Sequence, residues 1–141
     1  MSAAASGSDK GGEAMSELTC LILSVVIWIA HVLAQTFTSR AEFGDMYLFS
    51  PRDEDVTAKG ALAGRATRAL NNYVENLGPF LAMDLGLIAT GHTGGLGATI
   101  WILARIVYVP VYLAGTAYLR TAVWGVSIVG LLMMLARLAS S

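Results

Sequence analysis

The chain has 141 residues, of which 55% are hydrophobic and only 13% are charged, about half the charged share of an ordinary soluble domain. This composition predicts a single domain with the lipid bilayer as its main solvent and partner. The formal net charge of -1 is spread along the sequence without a basic stripe, which argues against nucleic acid as a partner.

Residues 1–16 are small, polar and rich in Gly and Ser, so they are predicted to be a disordered tail ahead of a domain at residues 17–138. They are not predicted to form a signal peptide, because the apolar run that follows is too long for one. Cys20 lies in that run and is predicted to be a buried structural thiol, since reactive cysteines need electropositive, partly exposed surroundings. No metal site is predicted, because no His or Cys stands at ligand spacing from Cys20.

Four apolar stretches are long enough to cross the ~30 Å of hydrocarbon in a bilayer, for which about 20 residues suffice. They cover about residues 18–37, 61–90, 98–118 and 122–138. A long charged connection, a glycine-rich one and a tight turn around Arg120 separate them. The fold class predicted is therefore an all-α integral membrane protein, a bundle of four transmembrane helices.

Four spans place both termini on the same side of the membrane. Positive residues favour the cytoplasmic side, so the first and third connections are predicted to be cytoplasmic and the termini non-cytoplasmic. The residues on the predicted cytoplasmic side are Arg40, Arg52, Lys59, Arg65, Arg68 and Arg120, against Lys10 and Arg137 on the other side.

The second span carries a polar stripe. Arg65, Arg68, Asn72 and Glu75 fall on one helix face about 80° wide at roughly 100° per residue. A charged side chain at the centre of a membrane helix costs at least ~2.5 kcal/mol, so these groups need partners, water or a ligand. The stripe is therefore predicted to point inward.

The third span repeats this pattern with Arg105, Tyr108 and Tyr112, and Arg120 follows in the next turn. Guanidinium groups bind carboxylates in bidentate fashion and phenols donate hydrogen bonds, so this face could hold a small anionic molecule. One alternative is a buried ion network that only holds helices together. The excess of arginine over Glu75 favours a missing anion instead.

Two further polar residues leave alternatives open. His31 lies at about the depth of Glu75 and could pair with it, transfer protons, or form a hydrogen bond between packed helices. Asp84 lies off the stripe and is interpreted as a protonated or water-paired acid rather than a catalytic one.

The segments at residues 65–80 and 104–121 resemble the signature of the MAPEG family, the membrane-associated proteins in eicosanoid and glutathione metabolism. The resemblance implies a homotrimer of four-helix bundles, with glutathione as cosubstrate between neighbouring subunits near the cytoplasmic side. The cofactor-binding residues that it implies are Arg65, Arg68, Asn72, Glu75, Arg105, Tyr108 and Tyr112.

The catalytic residue that the resemblance implies is Arg120, whose guanidinium would stabilise the glutathione thiolate. Asn76 follows Glu75 where the leukotriene-synthesising branch has an aromatic residue, and Trp124 or Gly125 stands near a position where some catalytic members carry a tyrosine. The sequence therefore looks like the bacterial branch, located in the inner membrane.

The function that follows is a membrane-bound glutathione-dependent transferase or peroxidase acting on lipophilic electrophiles. The alternative is a non-catalytic subunit of the same fold within a larger membrane protein complex. A stable partner after mild detergent extraction would favour that alternative.

Overall fold

A computed structural model describes residues 14–51 and 59–141. Residues 1–13 of the predicted tail lie outside the described residues. No strand occurs in either described segment, which confirms the all-α class. The helices are α1 (Glu17–Phe43), α2 (Asp45–Leu48), α3 (Ala61–Ala89), α4 (Gly95–Ala114) and α5 (Ala117–Ala139).

Three of these helices are long and apolar enough to cross a membrane, namely α1, α4 and α5. The protein is therefore a multi-pass membrane protein. The fourth long helix, α3, has the length but carries Arg65, Arg68, Glu75 and Asp84, so its composition alone does not qualify it among the described helices. It packs against α1, α4 and α5 within the bundle.

The helix α1 continues past residue 37, where the first predicted span ends. The apolar run marks the part that suits hydrocarbon, whereas backbone hydrogen bonding continues through Arg40 and Glu42. Gly44 ends the helix with a φ of 79°, and its N–H donates to the Arg40 carbonyl at 2.9 Å. Glycine adopts a positive φ without steric cost because it has no Cβ.

The turn between the last two long helices lies earlier than the sequence predicted. Gly115 ends α4 in the left-handed region with a φ of 78°, and α5 begins at Ala117. The predicted turn around Arg120 is wrong, because the glycine C-cap stops α4 five residues before it. Arg120 therefore lies in the first turn of α5, where the helix fixes the direction of its side chain.

Two glutamates at opposite ends of α1 set its register against the other helices. Glu17 accepts a hydrogen bond at 2.9 Å from the N–H of Gly94, the N-cap residue of α4. Glu42 accepts one at 2.6 Å from the N–H of Gly60, the N-cap residue of α3. A carboxylate at a helix N-terminus satisfies an unpaired donor and interacts favourably with the helix dipole.

Aromatic side chains fill the centre of the bundle. The rings of Phe80 and Trp101 stack with centroids 4.0 Å apart, and both are fully buried. Tyr73 is also fully buried and donates its hydroxyl hydrogen bond to the Ser24 carbonyl at 2.6 Å, which joins α3 to α1. Cys20 is buried as a free thiol, as the sequence predicted.

The helices α4 and α5 approach each other closely at a pair of glycines. A Cβ atom at Gly130 would lie 2.7 Å from the Gly97 carbonyl oxygen, and one at Gly97 would lie 2.9 Å from the Gly130 carbonyl oxygen. Only glycine fits at both positions, because the obstructing atoms belong to the backbone. This contact fixes the α4–α5 pair whose other end carries the candidate site.

Candidate functional site

A cleft of about 280 Å³ lies where α3, α4 and α5 meet near the α4–α5 turn. It brings together four of the eight predicted site residues, contributed by three different helices. Its lining residues are Asn72, Tyr108, Tyr112, Arg120, Thr121 and Trp124. We call this space the cleft.

The α4 wall of the cleft consists of two tyrosines one turn apart. Tyr108 is 3% and Tyr112 is 8% exposed, and their ring centroids lie 5.3 Å apart. They meet because positions i and i+4 share one helix face. Burial of the ring bodies leaves the phenol groups as fixed hydrogen-bond donors beside the cleft.

The α5 wall carries the positive charge of the cleft. The Arg120 guanidinium carbon lies 5.1 Å from the Tyr112 ring centroid, so the cation packs on the aromatic face. Since α5 has already begun at Ala117, Arg120, Thr121 and Trp124 project from one side of a regular helix. No carboxylate is among the side chains that line the cleft. The cleft therefore suits an anionic ligand.

The α3 wall connects the cleft to a buried arginine. The Asn72 side-chain oxygen accepts a hydrogen bond at 3.0 Å from Nη1 of Arg105. Arg105 is fully buried, and its guanidinium carbon lies 5.3 Å from the Tyr108 ring centroid. Arg105 thus lies behind the cleft wall, where it orients Asn72 rather than lining the cleft itself.

Arg65, on α3, lies outside the cleft and contacts the C-terminal end of α4. Its Nη1 donates to the Leu113 carbonyl at 3.2 Å, and its guanidinium lies where a Cβ at Gly115 would be. Donors and positive charge at a helix C-terminus satisfy unpaired carbonyls and complement the dipole. In the single chain Arg65 stabilises the α4–α5 turn, and its predicted role in cofactor binding stays a prediction.

The prediction that the whole polar stripe of α3 points inward is wrong for the single chain. Arg68 and Glu75 are exposed, and neither forms a hydrogen bond or ion pair with another described residue. At about 100° per residue, the stripe is centred roughly 120° away from the buried face of α3. The buried face consists of Ala63, Ala66, Ala69, Tyr73, Phe80, Asp84 and Leu87.

This offset explains how the stripe divides. Arg65 and Asn72 lie on its edge nearest the buried face and reach α4, whereas Arg68 and Glu75 lie on the far edge. The small side chains of Ala66 and Ala69 let the neighbouring helices approach α3 closely, so the packed face is apolar. Only the edge of the stripe that carries Arg65 and Asn72 therefore points inward within one chain.

Two cleft residues were absent from the predicted site. Thr121 and Trp124 line the cleft beside Arg120. Their helical spacing from Arg120, one and four residues, would have identified them had α5 been predicted to begin before Arg120. The Thr121 hydroxyl donates to the Ala117 carbonyl at 3.0 Å.

His31 and Asp84 are both buried away from the cleft. The Nδ1 atom of His31 contacts the Ile27 carbonyl at 2.9 Å, and its ring stacks on Tyr73 with centroids 4.6 Å apart. His31 is 1% exposed and does not pair with the exposed Glu75. Asp84 is fully buried, and neither carboxylate oxygen has a hydrogen-bond partner in the described part of the chain.

No group of three or more His, Cys, Asp or Glu side chains in the described residues could hold a metal ion.

Residues 18–140 match the sequence model of the MAPEG family, and this match spans every long helix and the cleft. Neither a curated protein nor a solved structure matches the chain significantly.

Proposed function

The chain belongs to the MAPEG family, and from that premise we propose that it is a membrane-bound glutathione-dependent transferase or peroxidase of the bacterial inner membrane. Its substrates would be lipophilic electrophiles that reach it through the bilayer. The observation that carries the proposal is the cleft, in which Arg120 faces two buried tyrosines and no carboxylate.

The residues of the cleft fit glutathione by their chemistry. Glutathione carries two carboxylates, which suit guanidinium and phenol donors, and a peptide, which suits the donor and acceptor of the Asn72 amide. A cleft of about 280 Å³ provides room for part of such a tripeptide. Asn72, Tyr108 and Tyr112 would hold the ligand, and Arg105 would keep Asn72 in place through its 3.0 Å hydrogen bond.

Arg120 has the chemistry for the catalytic role. Glutathione supplies a thiol that attacks the electrophile, and only its thiolate form is an effective nucleophile. A guanidinium next to sulfur stabilises that thiolate without taking part in proton transfer, because arginine stays protonated. The packing of Arg120 on Tyr112 holds the charge at the cleft.

The same two helices border apolar space from which a lipophilic substrate could approach. Aliphatic side chains line a groove of about 310 Å³ between α4 and α5. Val123 and Val126 belong to this groove, whereas Trp124 and Arg120 belong to the cleft. α5 therefore lies between a polar site and an aliphatic groove, which would face bilayer hydrocarbon in the proposed arrangement.

We further propose that α3 is the fourth span and that three copies form a homotrimer with the termini on the non-cytoplasmic side. The exposed Arg68 and Glu75 support this arrangement, because charged groups on a membrane helix are costly unless they meet partners or water. A neighbouring subunit would cover them, and glutathione bound between subunits would contact both the stripe and a cleft.

Thermal stability of the detergent-solubilised protein, titrated with glutathione, tests the proposal. A ligand that binds only the folded state at a hundredfold excess over its Kd stabilises by roughly 2.7 kcal/mol. We expect a saturable rise in melting temperature in the wild type that is lost in Asn72→Ala. Arg137→Gln, an exposed arginine outside the cleft, is the matched control and should respond like the wild type.

Turnover of an activated aryl halide and of a lipid hydroperoxide then separates transferase from peroxidase activity. S-methylglutathione, which lacks a free thiol, should raise the melting temperature without supporting turnover. No thermal response to glutathione and no turnover of either substrate would contradict the proposal. That result would favour the non-catalytic subunit of a larger membrane complex, to be sought by mild extraction.

The trimer has a separate test. Arg68→Gln and Glu75→Gln change residues outside the cleft of a single chain, so binding within one chain would leave their glutathione response intact. Weaker glutathione binding in both variants, together with a trimeric mass in nanodiscs, would support a site shared between subunits. A monomeric mass with full binding would contradict it.

A further inference from the structure

A second polar site lies inside the bundle, behind the cleft. Arg105 is fully buried, and only its Nη1 donates a hydrogen bond to a described residue, Asn72. Its Nε and Nη2 atoms are buried without an acceptor among the described residues. A buried guanidinium with two unpaired donors is costly, and such groups in native proteins mark bound water or ions.

The two unpaired donors of Arg105 are adjacent. The N–H bonds of Nε and Nη2 lie along one edge of the planar guanidinium and point in nearly the same direction. This edge is the one that grips a single acceptor, or both oxygens of a carboxylate, through two parallel hydrogen bonds. The unpaired atoms therefore form one binding edge rather than two unrelated defects.

A third unpaired donor lies one helical turn away. The indole Nε1 of Trp101 is fully buried and also lacks an acceptor within the described segments. The guanidinium carbon of Arg105 lies 5.5 Å from the Trp101 ring centroid, so the two side chains are in contact. Arg105 and Trp101, which are in contact on α4, therefore carry three buried nitrogen donors without an acceptor among the described residues. The two donors of Arg105 belong to a charged group.

No carboxylate of the described chain meets this charge. Glu75 is exposed. Asp84 lies near the first turn of α4, with Oδ1 3.3 Å from the position of a Cβ at Gly94. Gly94 is eleven residues before Arg105, which is about 16 Å along a helix that rises 1.5 Å per residue.

We propose that Arg105 and Trp101 bind a small monovalent anion such as chloride inside the bundle. The positive charge favours an anion over water alone, because a buried ion without a counter-charge is far costlier than an unpaired neutral group. Complete burial of both residues limits the ligand to a small one. This site lies behind the cleft wall, to which the Arg105–Asn72 hydrogen bond joins it, and the proposal does not rest on the proposed function.

His31 does not belong to this site, although its Nε2 is also buried without a partner in the described residues. Its Nδ1 contacts the Ile27 carbonyl, which can only accept, so Nδ1 carries the proton. In the neutral ring Nε2 is then an acceptor, which an anion does not attract. The anion therefore contacts only the unpaired donors of Arg105 and Trp101.

The first test is a chloride titration of the full-length protein after exchange into gluconate, without glutathione and at constant ionic strength. We expect a saturable rise in melting temperature with chloride. Trp101→Phe keeps the ring but removes the N–H, and should raise the half-saturating chloride concentration about tenfold. Trp28→Phe, at an exposed tryptophan of α1, is the control and should match the wild type.

Arg105→Gln should abolish the chloride response, and its glutathione response is measured separately. If this variant fails to fold, Trp101→Phe alone decides. A wild type whose melting temperature does not depend on chloride overturns the proposal, as does a response that is unchanged in Trp101→Phe. Because no glutathione is present, neither result tests the proposed function, and a chloride response that is unchanged in Trp101→Phe would assign the anion to the cleft beside Arg120 instead.

Bromide identifies the ligand directly. A crystal of the protein grown in bromide should show an anomalous peak beside Nε and Nη2 of Arg105. A bromide peak elsewhere only, or density at this position without anomalous signal, would mean that water fills the site and would overturn the proposal.

Discussion

The two ends of the α4–α5 pair differ in what fills the space between the helices. At one end Gly97 and Gly130 bring the helix backbones into contact, and large apolar side chains fill the remaining space. At the other end the same helices present tyrosines and Arg120 to a cleft of about 280 Å³. The Gly97–Gly130 end, which we call the closed end, is filled by packed backbone and apolar side chains. The other end carries the positive charge of Arg120, which no carboxylate lining the cleft neutralises.

Residues that stabilise the fold and residues that serve the proposed function therefore lie at opposite ends of the α4–α5 pair. Substitutions at the packed end should change the free energy of unfolding, because they alter contacts between buried atoms. Substitutions at the cleft end should change ligand binding or turnover with little effect on unfolding, because the cleft already contains unfilled space.

Phe80→Ala should have the largest effect on stability. Removal of a fully buried ring that stacks on Trp101 leaves a cavity, and such substitutions cost about 3 to 5 kcal/mol. The free energy of unfolding, measured by detergent denaturation, should fall by that amount. Phe37→Ala, at a ring that is 61% exposed on α1, should change it by less than about 0.5 kcal/mol. Equal losses in the two variants would contradict a packed core at Phe80.

Arg120→Gln should have the largest effect on function. Loss of a charge that stabilises the thiolate should lower glutathione-dependent turnover about a hundredfold, or roughly 2.7 kcal/mol in activation free energy. The melting temperature without ligand should change little, because Arg120 contacts the surface of Tyr112 rather than filling the core. Arg137→Gln should leave turnover unchanged. Full turnover in Arg120→Gln would exclude the catalytic role proposed for it.

The sequence predicted the fold better than the site because the two depend on different information. Apolar runs and glycine-rich connections predicted long helices at the positions of α1, α3, α4 and α5, of which α1, α4 and α5 are apolar enough to cross a membrane, and the α3 bounds agree within a residue. The α4–α5 turn was misplaced because hydrophobicity continues across it, whereas the actual stop is a backbone conformation at Gly115. Greater weight on that glycine would have placed Arg120 on α5 beside Thr121 and Trp124.

The direction of the α3 stripe could not be predicted from its spacing. Spacing showed that Arg68, Asn72 and Glu75 share a face, but not which face packs against α4. That choice depends on the alanines of α3, whose small side chains permit close approach, and on contacts with residues far along the chain. Asn72 reaches Arg105, 33 residues later, and no local pattern predicts that hydrogen bond.

Glycine-to-alanine substitutions at two positions of α5, each of which adds one methyl group, test how closely α4 and α5 pack. A Cβ at Gly130 would lie 2.7 Å from the Gly97 carbonyl oxygen, so Gly130→Ala should destabilise the protein by about 1 to 3 kcal/mol. A Cβ at Gly125 would meet no atom within 4 Å, so Gly125→Ala should stabilise it by up to about 1 kcal/mol. A melting temperature that falls in Gly130→Ala and rises in Gly125→Ala would confirm that the close approach is local to Gly130. A change in the same direction in both variants would contradict it.

The two glutamates of α1 give the smallest and most selective effects. Glu17→Ala removes the cap of α4 at the closed end, and Glu42→Ala removes the cap of α3 at the cleft end. Each should lower the free energy of unfolding by about 1 kcal/mol. Only Glu42→Ala loosens the start of the helix that carries Asn72, so only this variant should raise the half-saturating glutathione concentration, by about twofold. An equal rise in Glu17→Ala would show that the two ends are coupled, because a change at the closed end would then reach the cleft through α4.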